Sequence, residues 1–338
     1  MQLKRPTSAI LLVGGFGTRL QPLTFRTPKP MLPVAGIPFT EHQIAKARAA
    51  GITEIVLATS YLAEIFEPHF GDGERFGIKI SYAVEKSALG TGGAIANAAQ
   101  LMSADGPIVI FNGDVLSSHD LHAQMDLHLV GDADVTLHLT EVGDARAFGV
   151  VEMEGSRILS FNEKMENPPT NIINAGCYIF NRAVIDSIPR DRAVSVEREI
   201  FPALLTGGSR VLGYLDSSYW LDIGTPAALL QATADLISGA AQSFAFSKLI
   251  EQGLYAQLSG SLIARDAEIA PTAHIKEGSF IAPHARIESG ATVVGSIIGE
   301  GSRVGPDAQL VHTFVAPNCE IPGGFIANNQ FFGYSEEK

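Results

Sequence analysis

The chain has 338 residues, 46% of them hydrophobic, enough for a sizeable core and more in keeping with two domains than one. A formal net charge of −12 argues against coating nucleic acid or an anionic membrane, so neither is expected as a partner, and any bound phosphate must be met locally by a few cations and backbone N–H groups. Two distant cysteines, Cys177 and Cys319, do not make a disulfide framework, and neither an apolar leader nor a membrane-length apolar run is found, so a cytoplasmic protein is expected.

In chain order, apolar runs at 8–13, 55–59, 78–84, 108–111, 135–139 and 178–180 predict strands, continuous enough to be buried on both faces. Helical patterns lie between several of them, at 40–50, closed by Gly51, and at 92–101. Strands alternating with helices predict an α/β domain over 1–238 with a Rossmann-like mixed, mostly parallel sheet. Its first strand runs into a glycine-rich loop at the carboxyl edge, where such sheets bind ligands. Residues 226–258 read as helical connectors.

From 259 to 338 the pattern changes. An aliphatic residue recurs every six positions, at Ile263, Ile269, Ile275, Ile281, Ile287 and Val293. Small residues follow four positions behind, at Ala267, Ala273, Ser279, Ala285 and Ala291. The phase slips by one and resumes at Ile298, Val304 and Leu310, then more loosely at Val315 and Ile321. A period of six is neither helical nor a simple strand alternation, and predicts a left-handed parallel β-helix of hexapeptide repeats. Its stacked coils leave an end to be covered, so a homo-oligomer, a dimer or tetramer joined through this domain, is expected.

The segment most specific for chemistry is Leu12-Val13-Gly14-Gly15-Phe16-Gly17-Thr18-Arg19, followed by Pro28-Lys29-Pro30. Such a loop turns backbone N–H groups toward oxyanions without side-chain obstruction, while Arg19 offers a forked donor and Lys29 a point charge. This segment resembles the signature of the sugar-1-phosphate nucleotidyltransferases, the pyrophosphorylase family that makes nucleotide sugars. Further segments resemble the family's motifs in order over 8–226: Glu85–Gly93 the base-binding loop, Phe111–Val115 the metal-aspartate motif, Phe148–Val151 and Phe161–Lys164 the sugar-phosphate site, Asn174–Phe180 the sugar-pocket strand, and Ser195–Pro202 with Trp220–Pro226 the closing motifs.

The resemblance implies displacement of pyrophosphate from an NTP by a sugar-1-phosphate, with Mg²⁺ held by Asp114 and Asp222. It implies that Arg19, Lys29 and Lys164 neutralise the reacting phosphates. Leu12, Gly14, Gly15, Gly17, Thr18, Glu85, Gly90, Thr91, Asn112 and Gly113 would bind the nucleotide, and Gly149, Glu163, Lys164, Asn174 and Gly176 the sugar phosphate. Gln21 stands where many relatives carry a second arginine, and Met165 where a proline is common.

Guanine offers adjacent N1–H and N2 amine donors, which a carboxylate accepts together, so Glu85 favours GTP, and the guanylyltransferase branch favours mannose-1-phosphate. Glu85 pairing with Lys86, or capping the next helix, is the structural alternative. Other readings are a glucose-1-phosphate uridylyl-, thymidylyl- or adenylyltransferase, a non-catalytic regulatory subunit, and, from the repeats alone with His274, His284 and His312, an acyltransferase. Asp114 and Asp222 have a plainer alternative as helix caps. His119, His122 and His128 read as the polar face of a surface helix rather than as zinc ligands.

Overall fold

The computed structural model describes residues 4–60, 62–85, 87–103 and 105–334. By its internal contacts the chain divides into two units, Met1–Gly15 with Gln43–Trp220, and Phe16–His42 with Leu221–Lys338.

Among the described residues, the first unit is built on a nine-stranded sheet. Its strands are β1 (Ser8–Leu12), β2 (Glu54–Thr59), β3 (Lys79–Val84), β4 (Ile108–Asn112), β5 (Val135–Glu141), β6 (Gly149–Glu154), β7 (Arg157–Glu163), β8 (Ile172–Phe180) and β9 (Val211–Leu215). Their order is β3-β2-β1-β4-β8-β5-β9-β7-β6. The first four are parallel, with Leu12 in register with Ala58 on one side and Asn112 on the other. The expectation of a mostly parallel sheet holds there and where β9 runs parallel to β5. β8 runs antiparallel to β4 and β5, and β7 antiparallel to β6 and β9, so the sheet is mixed. The strands that sequence reading passed over, β6, β7 and β9, carry polar residues at regular intervals, or only a short apolar run, and so lack the continuous apolar signal of β1 and β4.

Helix α1 (Phe39–Ala49) ends at Ala50 and Gly51, the latter at φ 89°, as a C′ glycine does. Helix α2 (Gly90–Ala99) buries its alanines and Ile95 against the sheet, and α3 (Leu121–Val130) starts with the Asp120 side chain accepting from Ala123 N. Ile10, Val56, Ile110, Leu137, Tyr178, Phe180 and Phe201 form the centre of this core, each fully or almost fully buried. Each such aliphatic side chain stabilises the fold by roughly 1.5–3 kcal/mol, so the end of β1 is firmly anchored.

In the second unit, α4 (Pro226–Ser238) and α5 (Phe244–Glu251) lead into repeated short parallel strands arranged in three ladders. Ile263 pairs with Ile281, Ile281 with Ile298, and Ile298 with Val315. The single phase slip is thus a coil shortened by one residue, a length the later coils keep. The predicted aliphatics stack inside, with Ala285, Ala291 and Ala308 fully buried among them. A ladder the aliphatic period does not reveal runs beside them: Ser279 N donates to Ser261 Oγ, Ser296 N to Ser279 Oγ, and Thr313 N to Ser296 Oγ. These buried hydroxyls satisfy backbone groups at the corners. His284 and His312 stand at φ 58° and 47°, as turn residues.

Segment 16–42 packs within this unit. Ala35 N donates to Thr233 Oγ1, the His42 ring bonds Ser243 Oγ and Val34 O, and Gly36 sits at φ 80° against Phe280. Among the described residues no helix is long and apolar enough to cross a membrane.

Candidate active site

The carboxyl edge of β1 is closed by two glycines that cannot easily be replaced. Gly113 N donates to Leu12 O at 3.0 Å, and a Cβ on Gly113 would lie 2.2 Å from that same oxygen. Gly14 accepts a hydrogen bond from Ser60 Oγ, and its Cβ would fall 2.7 Å from that hydroxyl. A Cβ on Gly15 would meet nothing within 4 Å among the described residues. Asp114 shares with Gly113 the turn after β4, and the strand Val115–Ser117 follows. The next helix is capped by Asp120, so Asp114 is not its cap.

The loop beyond Gly15 belongs to the second unit. Gly17, at φ 62°, accepts from Thr24 Oγ1 at 2.9 Å and leads into a single 3-10 turn, Thr18–Leu20. Arg19 and Asp222 meet at Gly224, with Lys29 beside Asp222. A Cβ on Gly224 would lie 2.7 Å from Arg19 Nη2 and 2.8 Å from Asp222 Oδ1. Lys29 Nζ stands 3.9 Å from the same Asp222 oxygen, with the lysine side chain only 11% exposed. Thr225, not Asp222, caps α4, through Ala228 N. Two cations and a carboxylate held this close form an anchor for an anion with its counter-ion. Gly224 was not singled out from the sequence, because a glycine's value as empty space depends on what surrounds it.

Back in the first unit, the predicted sugar-pocket strand is irregular where it matters. β8 slips register against β5 between Asn174 and Tyr178, and Gly176 stands in the bulge at φ 77°. Asn174 Nδ2 donates to the Tyr178 hydroxyl at 2.8 Å, Asn112 Nδ2 approaches it at 3.3 Å, and Gly176 N donates to Asn174 Oδ1. Burial pushes the Tyr178 phenol well above its ordinary range. A Cβ on Gly176 would sit 3.0 Å from Asn112 Nδ2, and Trp220 Nε1 donates to Ala175 O. The bulge therefore brings Asn112, Asn174 and Gly176 together.

Gly149 and Glu163 face each other across β6 and β7, and a Cβ on Gly149 would lie 2.9 Å from Glu163 Oε2. Burial, then the nearby Glu197 carboxylate, raise the Glu163 pKa, while Lys164 and Arg198 offset this. Lys164 adopts φ 54°, with its N bonded to Phe148 O and its Nζ 3.7 Å from Glu163 Oε1. Left-handed backbone at a non-glycine costs about 1–3 kcal/mol and concentrates at functional sites.

Glu85 N is fixed to Thr59 O, and its Oε2 accepts from Leu89 N at 3.1 Å, one residue before α2. Burial raises the Glu85 pKa, partly offset by that bond. The capping alternative thus describes one of its oxygens, and Lys86 lies outside the described residues. Gly90 and Gly92 press against Val194, whose carbonyl would be 2.5 Å from a Cβ on Gly90. Thr91 Oγ1 donates to Glu197 Oε2 and accepts from Val196 N. Packing onto Val194–Glu197 is what Gly90 and Thr91 are seen to do. Glu197, which the sequence reading did not assign, joins Thr91 to Ser195 and lies near Glu163.

One expectation is overturned. His119 and His128 are not on a surface face; they are 4% and 2% exposed. His119 lies before α3, stacked on His138 with centroids 3.8 Å apart and bonded to Lys46, Ser117 and Gln124. Only His122 is superficial, beside Arg5. The partners from distant segments, Lys46 and His138 at His119 and Thr136 and Asn181 at His128, are ones that local polarity does not reveal. Among the described residues no group of three or more His, Cys, Asp or Glu could hold a metal by itself. A carboxylate such as Asp222, set beside Arg19 and Lys29, has the oxygen donors that suit a hard divalent ion.

Residues 8–239 match the sequence model of the nucleotidyl transferase family. The mannose-1-phosphate guanylyltransferase of Mycobacterium tuberculosis is 48% identical over 297 residues, covering 84% of this chain and 82% of that protein. Mannose-1-phosphate guanylyltransferase 1 of Arabidopsis thaliana is 34% identical over 294 residues, covering 86% and 78%. Among solved structures, HddC from Yersinia pseudotuberculosis complexed with GMP-PN aligns with a TM-score of 0.58 at 28% identity, over 67% of this chain and 98% of that one. With the glycine-lined edge of β1 and the cluster around Gly224 in place, the chain belongs to the nucleotidyl transferase family and is similar over most of its length to mannose-1-phosphate guanylyltransferases.

Proposed function

We propose that this chain transfers GMP from GTP to mannose-1-phosphate, releasing pyrophosphate and forming GDP-mannose. The observation that carries the reading is the convergence of Arg19 and Asp222 on Gly224, with Lys29 beside Asp222, in a chain 48% identical to a mannose-1-phosphate guanylyltransferase. A phosphate oxygen of the sugar-1-phosphate attacks the α-phosphorus, and the bond from that phosphorus to the bridging oxygen breaks in line. Arg19 donates to the departing pyrophosphate, and Lys29 and Lys164 draw the reacting phosphates together. Asp114 and Asp222 are the carboxylates suited to Mg²⁺, which when bound neutralises phosphate charge. Glu85 keeps acceptor capacity beyond its bond to Leu89 N and takes the guanine N–H donors, which favour its ionised form. Leu12, Gly14, Gly15, Gly17, Thr18, Asn112 and Gly113 line the nucleotide with backbone and small side chains; Gly149, Glu163, Asn174 and Gly176 take the sugar.

The same reading makes 1–238 the catalytic domain and 259–338 a left-handed β-helix through which a cytoplasmic homo-oligomer assembles. The hexapeptide period with small corner residues supports the helix.

Pyrophosphate release is to be followed with Mg²⁺ across GTP, UTP, dTTP and ATP, each with mannose- or glucose-1-phosphate. Turnover confined to GTP with mannose-1-phosphate is expected, abolished by EDTA and restored by Mg²⁺. Turnover with a different pair would refute the base or sugar assignment, and none with any pair would refute the activity.

A further inference from the structure

The turn Gly113–Asp114 is held from below by a helix that carries none of the motifs assigned above. On α1, Gln43 Nε2 donates to Asn112 O at 2.7 Å and reaches Val115 O at 3.4 Å, the two carbonyls that flank the turn. One helical turn later, Lys46 Nζ donates to Ser117 O at 2.8 Å. Val115 and Ser117 are two apart on one strand, so their carbonyls face the same way. Residues 43 and 46 are three apart on a helix and present donors on one face.

This arrangement carries a local cost. Gln43 is 6% exposed, and its Oε1 is buried with no hydrogen-bond partner among the described residues. An unsatisfied buried oxygen costs about 1–3 kcal/mol, which an apolar side chain of the same length would avoid. Lys46 is partly buried, with its ammonium beside His119 Nδ1 at 2.9 Å. Two costly polar side chains kept on one helix face, both spent on the backbone of one short segment, point to a demand on that segment's position.

We propose that Gln43 and Lys46 are positioning residues that fix the Gly113–Asp114 turn, and so aim the Asp114 carboxylate at the metal and nucleotide. This rests on the metal role given to Asp114 above. Neither side chain touches substrate; both act through the backbone of residues 112–117.

The test uses the full chain with Gln43→Met, Lys46→Met and, as a metal-ligand control, Asp114→Asn. Amide hydrogen exchange over 113–117 without metal reads the turn, and Mn²⁺ binding followed by electron paramagnetic resonance reads the ligand. In Gln43→Met, exchange over 113–117 is expected to accelerate about tenfold while β1 and β5 keep their protection. Mn²⁺ binding and Mg²⁺ half-activation should weaken by about 10-fold, as loss of an outer partner of a ligand does. Lys46→Met should repeat this more weakly, centred on Ser117. Unchanged exchange and Mn²⁺ affinity in a folded variant would overturn the proposal, as would protection lost evenly through the sheet. If Gln43→Met does not fold, Lys46→Met decides by the same readings; collapse of both would show that they hold the fold rather than the turn. If the wild type binds no Mn²⁺ while the variants still loosen 113–117, the clamp stands and the metal role of Asp114 falls.

Discussion

Replacing Gly224 with alanine separates the site from the fold. Gly224 lies outside the left-handed region, so alanine meets no backbone penalty. Its Cβ would lie 2.7 Å from Arg19 Nη2 and 2.8 Å from Asp222 Oδ1. Ordinary contact between such atoms is about 3.5 Å, so the guanidinium and the carboxylate must each retreat by roughly 0.7 Å. Both are side-chain ends, and the core is untouched, so stability should change by less than about 1 kcal/mol. Transfer is more sensitive, because a misplacement of about 1 Å costs on the order of a hundredfold. We expect kcat/KM for pyrophosphate release to fall about 10- to 100-fold, or roughly 1.4–2.7 kcal/mol of transition-state stabilisation. The assay is steady-state pyrophosphate release with GTP and mannose-1-phosphate, alongside thermal unfolding. Wild-type kcat/KM in a folded Gly224→Ala protein would show that Arg19 and Asp222 do not act from these positions.

Gly113→Ala should do the opposite: its Cβ meets the Leu12 carbonyl at 2.2 Å, so thermal unfolding is expected to shift down before any kinetic effect is readable. Gly36→Ala combines a left-handed backbone at φ 80° with a contact 2.4 Å from Phe280 Cζ, and should cost about 2–4 kcal/mol in urea unfolding, partly recovered by Phe280→Leu. The protein should also be labile to acid. Burial lowers the pKa of His138 to about 3, and lowers those of His119 and His128. The unfolded chain takes up protons below about pH 6.5 and the folded one does not, so this stability is complete above that pH and is lost as pH falls toward 3. For His138 alone the loss approaches on the order of 4 kcal/mol. Urea unfolding at pH 7, 5.5 and 4.5 should show the decline, shallower in His138→Phe, and stability that stays flat with pH would refute it.

The sequence legibly carried whatever depends on local order. β1 and β4 are unbroken apolar runs because both faces are covered, and Gly51 ends α1 because its backbone turns left-handed there. The aliphatic period of six became stacked coils because each coil repeats the same inward position, and the phase slip at Ile298 proved to be a coil shortened by one residue, as the later coils also are. Family motifs named candidate site residues without saying how they meet.

What only the tertiary structure decided arises from segments distant in sequence. Segment 16–42, which carries Arg19 and Lys29, groups with 221–338, and Ala35, Gly36 and His42 within it meet Thr233, Phe280 and Ser243. His119 is stacked on His138 of β5, and His128 is bonded to Thr136 of β5 and to Asn181, partners that lie well away in sequence. Gly224 matters as the space shared by Arg19 and Asp222, and Gln43 as a donor 69 residues from the carbonyl it holds. Local periodicity reports which face of an element is apolar; it carries no information on which distant backbone or charge that face will meet.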